Sequence, residues 1–202
     1  DPGRKAGTMK DRYRREINYL RISVTDRCNL RCRYCMPEHG IRPVDHKDIL
    51  SFDEIGRVAA ICAGLGIKNI KITGGEPLVR KDTAHLIRKL KEISGIRKVT
   101  MTTNGLLMEK YISEPIEAGL DGVNISLDTL KEDRYMELTG SAGAEKVLKA
   151  IMLCTERGLA TKVNMVPVAG FNDDEVGQLA ALAKNLDVDV RFIEMMPVGQ
   201  GR

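Results

Sequence analysis

Tryptophan is absent, and three phenylalanines and five tyrosines are the only aromatic side chains in 202 residues. The core must therefore be aliphatic, built from Ile, Leu, Val, Met and Ala rather than from stacked rings. No apolar run approaches the roughly 20 residues that cross a bilayer, and the first residues are polar, which argues against a membrane helix and a secretion signal. Charge of one sign is not in excess either. With 32 basic and 28 acidic side chains the net is +4, too small to mark nucleic-acid binding. Of the five cysteines, three fall between residues 28 and 35, while Cys62 and Cys154 stand alone in helical patterns. That distribution excludes a disulfide framework and points to a reducing, cytoplasmic setting and a bound metal.

What the chain does have is alternation. Residues 1–10 carry no periodicity and are expected to form a disordered leader, with one core domain over 11–202. Strand-like runs follow at 19–25, 69–73, 98–104, 122–128, 160–166 and 188–195. Between them, Ser51 and Glu54 form a capping box that opens a helix stopped by Gly66, with Ile55, Val58, Cys62 and Leu65 as its expected buried stripe. Further helices are expected at 82–93, 109–118 (broken or restarted at Pro115), 144–157 and 173–186. Six strands separated by helices make a parallel α/β fold. The length falls short of the ~250 residues of a closed eight-stranded barrel. No G-x-G-x-x-G follows the first strand, which counts against a dinucleotide-binding sheet.

Parity along the strands divides them into two faces. Leu20, Ile22, Val24, Ile70, Ile72, Val99, Met101, Val123, Ile125, Leu127, Val163 and Met165 share the apolar one, which should pack against the helices. The other carries Arg21, Ser23, Thr25, Lys71, Thr73, Thr100, Thr102, Asn104, Asn124, Ser126, Asp128, Lys162 and Asn164. Closed barrels fill their interior with branched aliphatics, so a polar inner face suggests an open, wet lumen that holds a ligand. Arg21, Lys71, Lys162 and, at its margin, Arg191 are cations there. Like charges brought together out of water need an anion. Phosphates would serve, and so would internal pairing with Asp128 or Glu194.

Cys28, Cys32 and Cys35, spaced C-x3-C-x2-C after the first strand, can converge on one centre from a single short loop. Thiolates are soft ligands for zinc, Cu(I) or iron–sulfur clusters. Structural zinc takes four closed ligands, usually from two paired knuckles, and no second knuckle is present. A four-iron cluster held by three cysteines instead leaves one iron open to a ligand.

This spacing, with an aromatic residue before the last cysteine, resembles the signature of the radical S-adenosylmethionine (SAM) superfamily. The string at residues 19–37, YLRISVTDRCNLRCRYCMP, is similar within it to the GTP 3′,8-cyclase family of molybdenum-cofactor biosynthesis. The resemblance runs from about residue 11 to 199. It implies a six-stranded parallel partial (β/α)6 TIM-like barrel and a 4Fe-4S cluster on Cys28, Cys32 and Cys35, its open iron bound by SAM. It also implies reductive cleavage of SAM to a 5′-deoxyadenosyl radical. By the same resemblance SAM is held by Tyr34, Gly75 (in Gly74-Gly75-Glu76-Pro77), Thr102, Ser126 and Met196. GTP is held by Arg21, Lys71 and Lys162, and converted to 3′,8-cyclo-7,8-dihydro-GTP. An electron donor is implied as a partner; a homodimer is left open.

Three departures from the family stand out. Arg14-Arg15 replaces a usual Gly-Arg. Lys71 stands where arginine is familiar, and it loses the bidentate fork. No cysteine follows Cys154, so the second cysteine-ligated cluster of the family, in a C-terminal part, is expected to be absent. The competing readings are a radical SAM enzyme acting on another substrate, such as a peptide, and a non-catalytic barrel stabilised by zinc.

Overall fold

A computed structural model describes residues 9–35 and 42–196. Most of the leader expected over 1–10 lies outside them, although Lys10 already pairs with Glu16 in an antiparallel bridge. The turn between them brings Arg14 to φ 64°, a left-handed conformation that an L side chain adopts at a cost and glycine adopts freely. The Arg-for-Gly departure thus falls on the residue where glycine would be unstrained.

Strand β1 (Tyr19–Ser23) leads through the cysteine loop to α1 (Phe52–Gly64). Then come β2 (Asn69–Thr73), α2 (Thr83–Lys91), β3 (Lys98–Thr103), the short α3 (Met108–Tyr111) and α4 (Ser113–Glu117), and β4 (Gly122–Ser126). They are followed by α5 (Glu132–Thr139), α6 (Ala144–Glu156), β5 (Ala160–Met165), α7 (Val176–Ala180), α8 (Leu182–Asn185) and β6 (Val188–Phe192). All six strands form one parallel sheet in the order β1 to β6. Helices return the chain between strands, and the sheet curls as the partial barrel expected from sequence. The capping box at Ser51 and Glu54 forms, with each side chain accepting from the other's backbone N–H.

The apolar parity packs outward against the helices: Ile70, Ile72, Val99, Met101, Val123, Ile125, Val163 and Met165 are buried with Leu86, Ile87, Leu90, Val147 and Ile151. Three details differ from the sequence reading. The buried residues of α1 are Ile55, Gly56, Ala59 and Ala63, whereas Val58 and Leu65 face outward. Helix α5 was not anticipated, because Tyr135, Leu138 and Thr139 are its only buried residues. The helix over 109–118 is broken, as expected, into α3 and α4, with Pro115 in the first turn of α4, where a missing N–H costs nothing. The expected helix over 173–186 divides into a 3-10 turn, α7 and α8.

Candidate active site

The C-terminal ends of the strands and the loops that follow them make the site, as in other parallel barrels. The cysteine loop is anchored there at several points. Arg31 and Arg33 N–H groups donate to the carbonyls of Thr139 and Leu138 at the end of α5, at 2.8 and 2.9 Å. Tyr34 reaches across to β4's end, where its phenol donates to Asp128 Oδ2 at 2.5 Å. The second oxygen of Asp128 accepts the Val166 N–H at 2.7 Å, just past β5. Burial pushes the Asp128 carboxyl upward while these two donors hold it back. The backbone carbonyl of Asp128 accepts from Asn172 Nδ2 at 2.8 Å. One carboxylate therefore locks the cysteine loop to two strand ends.

Cys28 and Cys32 are half-buried and Cys35 is exposed. The Leu30 N–H donates to Cys28 Sγ at 3.4 Å, and Asn104 Nδ2 approaches the same sulfur at 3.9 Å while donating to Asn29 Oδ1 at 2.8 Å. Burial, and then Cys35, Asp128 and Cys28, push the Cys32 thiol up to about 12. Burial and Cys28 raise Cys35. Cys32 and Cys35 thus sense the neighbouring thiols, and a metal centre would displace the protons of its ligands. Among the described residues, no three Cys, His, Asp or Glu side chains are gathered around a single metal ion. A four-iron cluster is wider than one ion, and three soft sulfurs on one loop, with N–H donors beside them, suit it chemically. Cys62 is half-buried on α1 and Cys154 is wholly buried on α6, both away from this loop.

The Gly74–Gly75 turn lies against the start of that loop. A Cβ on Gly74 would sit 2.6 Å from the Thr25 carbonyl oxygen, and one on Gly75 would sit 2.2 Å from that of Arg27. Only glycine fits at either place. Gly75 and Glu76 N–H groups donate to those same carbonyls at 2.7 and 2.8 Å. The Glu76 side chain, 1% exposed, turns under the turn and accepts from the Thr103 hydroxyl, the Asn104 N–H and the Leu78 N–H. Burial raises its carboxyl, and the three donors oppose that.

Strand register arranges the polar face into rows. Arg21, Lys71 and Thr100 are neighbours across β1, β2 and β3, and two residues further along β3 a second row, Thr102, Asn124, Lys162 and Asp189, crosses β3 to β6. Ser126 adjoins Asn164, which adjoins Arg191. Lys71 is 9% exposed, and burial, then Arg21, Arg191, Lys162 and Lys98, push its ammonium down to about 8. Lys98, at the base of β3 and on the same parity, is a cation the sequence reading missed. Arg21 is exposed on the edge strand. The internal partner of Lys162 is Asp189, in contact with its Nζ, rather than Asp128 or Glu194. Lys71 has no carboxylate partner among the described residues.

Tyr34 reaches Asp128 just past β4, Gly75 lies in the turn after β2, and Thr102 and Ser126 are half-buried near the C-terminal ends of β3 and β4. Met196 is 71% exposed. Its neighbour Met195 lines a cleft of about 250 Å³ with Arg33, Tyr34, Leu138, Val168 and Phe171.

Comparison with known proteins follows the same outline. Residues 22–183 match the family model described as the Radical SAM superfamily. The chain is 48% identical over 193 residues to the GTP 3′,8-cyclase of Alkaliphilus oremlandii (strain OhILAs), covering 95% of this chain and 60% of that protein. It is 50% identical over 194 residues to the GTP 3′,8-cyclase of Peptoclostridium acidaminophilum, with 96% and 60% covered. It thus spans about 60% of the length of these curated relatives. Among solved structures, it resembles Streptococcus suis SuiB bound to precursor peptide SuiA, with TM-score 0.71, 22% identity, and 90% of this chain and 40% of that one covered. Methylornithine synthase gives 0.69 at 18% identity, with 89% and 53% covered. Identities this low speak for the fold alone.

Proposed function

From the premise that this chain belongs to the radical SAM superfamily, we propose that it forms the catalytic barrel of a GTP 3′,8-cyclase, which converts GTP to 3′,8-cyclo-7,8-dihydro-GTP for the molybdenum cofactor. Membership implies a 4Fe-4S cluster and SAM. Cys28, Cys32 and Cys35 would hold the cluster, which supplies the electron that cleaves SAM. Working at low potential, the protein would act in the reducing cytoplasm and draw on a separate electron donor.

The chain's own residues divide the remaining tasks. Tyr34, tied to Asp128, and Glu76, tied to Thr103, fix the cysteine loop and the Gly75 turn against each other. Gly75, Thr102 and Ser126 then offer backbone and hydroxyl groups to SAM on the rim. Met196, exposed as it stands, would meet the adenine of SAM. Deeper in the lumen, Arg21, Lys71 and Lys162 would neutralise the triphosphate. Lysine at position 71 contacts it as a point charge rather than a fork.

The observation that carries this reading over a peptide substrate is the buried Lys71 beside Arg21, without a carboxylate partner among the described residues. An ammonium brought out of water with only cations around it calls for an anion. Isothermal titration provides the test. GTP should bind with an affinity at least tenfold above that of guanosine, and Lys71→Ala should remove most of that difference while leaving SAM binding near its original strength. Equal affinities for GTP and guanosine would refute the assignment of the lumen to a nucleoside triphosphate.

A further inference from the structure

Lys98 opens β3 on the same parity as Thr100 and Thr102, while Val99 is buried on the opposite side. Register sets Asn69 beside it on β2, and Lys71 and Thr100 form the row two residues above. It is exposed, at the foot of the lumen. Asp121, whose carboxylate accepts the Val99 N–H next door at 2.6 Å, is held by Lys91 Nζ at 2.9 Å. Lys98 itself forms no ion pair among the described residues. Its charge is nevertheless felt inside. Burial first, and then Arg21, Arg191, Lys162 and Lys98, lower the ammonium of Lys71; burial, Arg191 and Lys98 lower that of Lys162. Within the strand bounds the inner face carries Arg21, Lys71, Lys98, Lys162 and Arg191 against one carboxylate, Asp189, which Lys162 touches. Four cations are thus left over. Near neutral pH a diphosphate carries about three charges and a triphosphate about four, since the terminal group adds nearly two and each inner one adds one.

We propose that Lys98 binds the terminal phosphate of the nucleotide and so makes this lumen select triphosphates over diphosphates. This rests on the lumen holding GTP, as proposed for the function. Direction along the strands decides which phosphate Lys98 meets. Gly75 follows β2 and Ser126 ends β4, so SAM and the reacting nucleoside belong at the C-terminal ends of the strands. The phosphates then run towards the strand starts. Lys98 stands four residues before Thr102, about 13 Å down β3 at ~3.3 Å per residue, and below the row of Lys71. The phosphate nearest to it is therefore the last. Its four-carbon stem lets an ammonium anchored at the foot of the lumen swing inward when that charge arrives. Without the terminal phosphate, Lys98 stays in water, and the inner phosphates keep Arg21, Lys71 and Lys162.

Isothermal titration of the 202-residue chain with GTP, GDP and GMP, at one fixed magnesium concentration, is the test. The parent should prefer GTP to GDP by about tenfold or more, the size expected of one charge-assisted contact. Lys98→Gln should bring GTP down to the affinity of GDP, and leave GDP and GMP within about twofold of the parent. Lys98→Arg, which keeps the charge, should keep the preference. Lys98 is exposed, so the thermal midpoints of both variants without nucleotide should match the parent's, which separates lost recognition from lost folding. A GTP-to-GDP ratio that Lys98→Gln leaves unchanged overturns the proposal, and so does an equal loss for both nucleotides. If all three nucleotides bind no better than guanosine, the nucleotide reading of the lumen itself is refuted, and this inference with it.

Discussion

Glu76 and Thr103 are joined across the ends of β2 and β3, the Thr103 hydroxyl donating to Glu76 Oε1 at 2.8 Å while the Asn104 N–H donates to Oε2 at 2.7 Å. The same device recurs on the other side of the site. Thr129 and the Leu130 N–H donate to the buried carboxylate of Glu175, each at 2.7 Å. In both cases the threonine oxygen also accepts the N–H two residues on, from Gly105 and from Lys131. A buried carboxylate thus satisfies the donors of a neighbouring βα loop that no helix or strand serves. The consequence for Glu76→Gln is direct. An amide must present NH2 where a carboxylate oxygen accepts, so one donor faces another. A loss of about 1–3 kcal/mol in urea unfolding is expected. A smaller loss for Thr103→Val, which removes one donor together with its demand, would support the same account.

A prediction of opposite sign concerns Arg14. Its φ of 64° on an exposed turn costs an L residue about 1–2 kcal/mol. Glycine removes that strain but gives the unfolded chain more freedom, at about 0.4–1 kcal/mol. Arg14→Gly should therefore raise stability by up to ~1 kcal/mol, while Arg14→Ala, which keeps the strain, should not. Paired urea midpoints for the two variants decide it.

The cysteines give a clean contrast. If Cys28, Cys32 and Cys35 are the ligands of one cluster, a change of any of them to Ser should abolish reconstitution of iron and sulfide, because no spare thiolate stands nearby. Cys154→Ala should leave iron content unchanged and destabilise as a small core truncation does, since its side chain is wholly buried. Iron and sulfide assays with denaturation curves separate the two outcomes. Full iron content in Cys32→Ser would remove the basis of the cluster assignment.

How much of this was legible in the sequence depended on distance along the chain. Strands and their two faces were visible because period-two alternation is local: Ile70 and Ile72 are buried on one side and Lys71 turns to the other. Cysteine spacing was visible for the same reason. The buried side of α1 was misjudged because its large residues, Val58 and Leu65, look outward, and the small Ala59 and Ala63 let the helix lie close to its neighbours. Helix α5 left little apolar pattern to read. The ties that fix the site were invisible in principle. Tyr34 and Asp128 are 94 residues apart, Glu76 and Thr103 are 27, and nothing local pairs them. Lys98 could have been found by extending the parity of β3 one residue pair earlier.

Lys71 carries a pH signature. Its folded-state pKa is about 8 against an ordinary 10.5, lowered chiefly by burial. Between those values the unfolded chain holds a proton that the folded one has released, so stability rises as pH increases from about 8 towards 10.5. Below pH 8 both states are protonated and this contribution is flat, at its least favourable. Lys71→Met should raise stability at pH 7 and abolish the rise above pH 8, as read from thermal midpoints across pH 7–10. Bound GTP should reverse the preference. A triphosphate stabilises the charged ammonium, so nucleotide affinity should fall as pH climbs through 8 in the parent chain, and less so in the variant.

The last prediction separates SAM cleavage from cyclisation. Every residue assigned to SAM, and all three cysteines, lie within residues 28–196. For GTP the contacts proposed with the function are Arg21, Lys71 and Lys162, three cations that would grip the triphosphate, and none of them is proposed to meet the guanine base. Hydrogen abstraction at one ribose carbon needs the reacting atoms held at about 3–3.5 Å, and a ligand fixed at one end pivots about that end. The chain spans about 60% of its curated relatives, so they contain further length that could grip the base. These 202 residues, reconstituted and reduced without oxygen in the presence of SAM and GTP, should therefore release 5′-deoxyadenosine slowly and form little or no cyclised nucleotide. Restricting the triphosphate further will not help: Lys71→Arg, which restores the fork, should tighten GTP binding without raising the yield of cyclised product. Chromatography of both products gives the ratio. Cyclised nucleotide formed in step with 5′-deoxyadenosine would mean that contacts within this barrel suffice to hold the base.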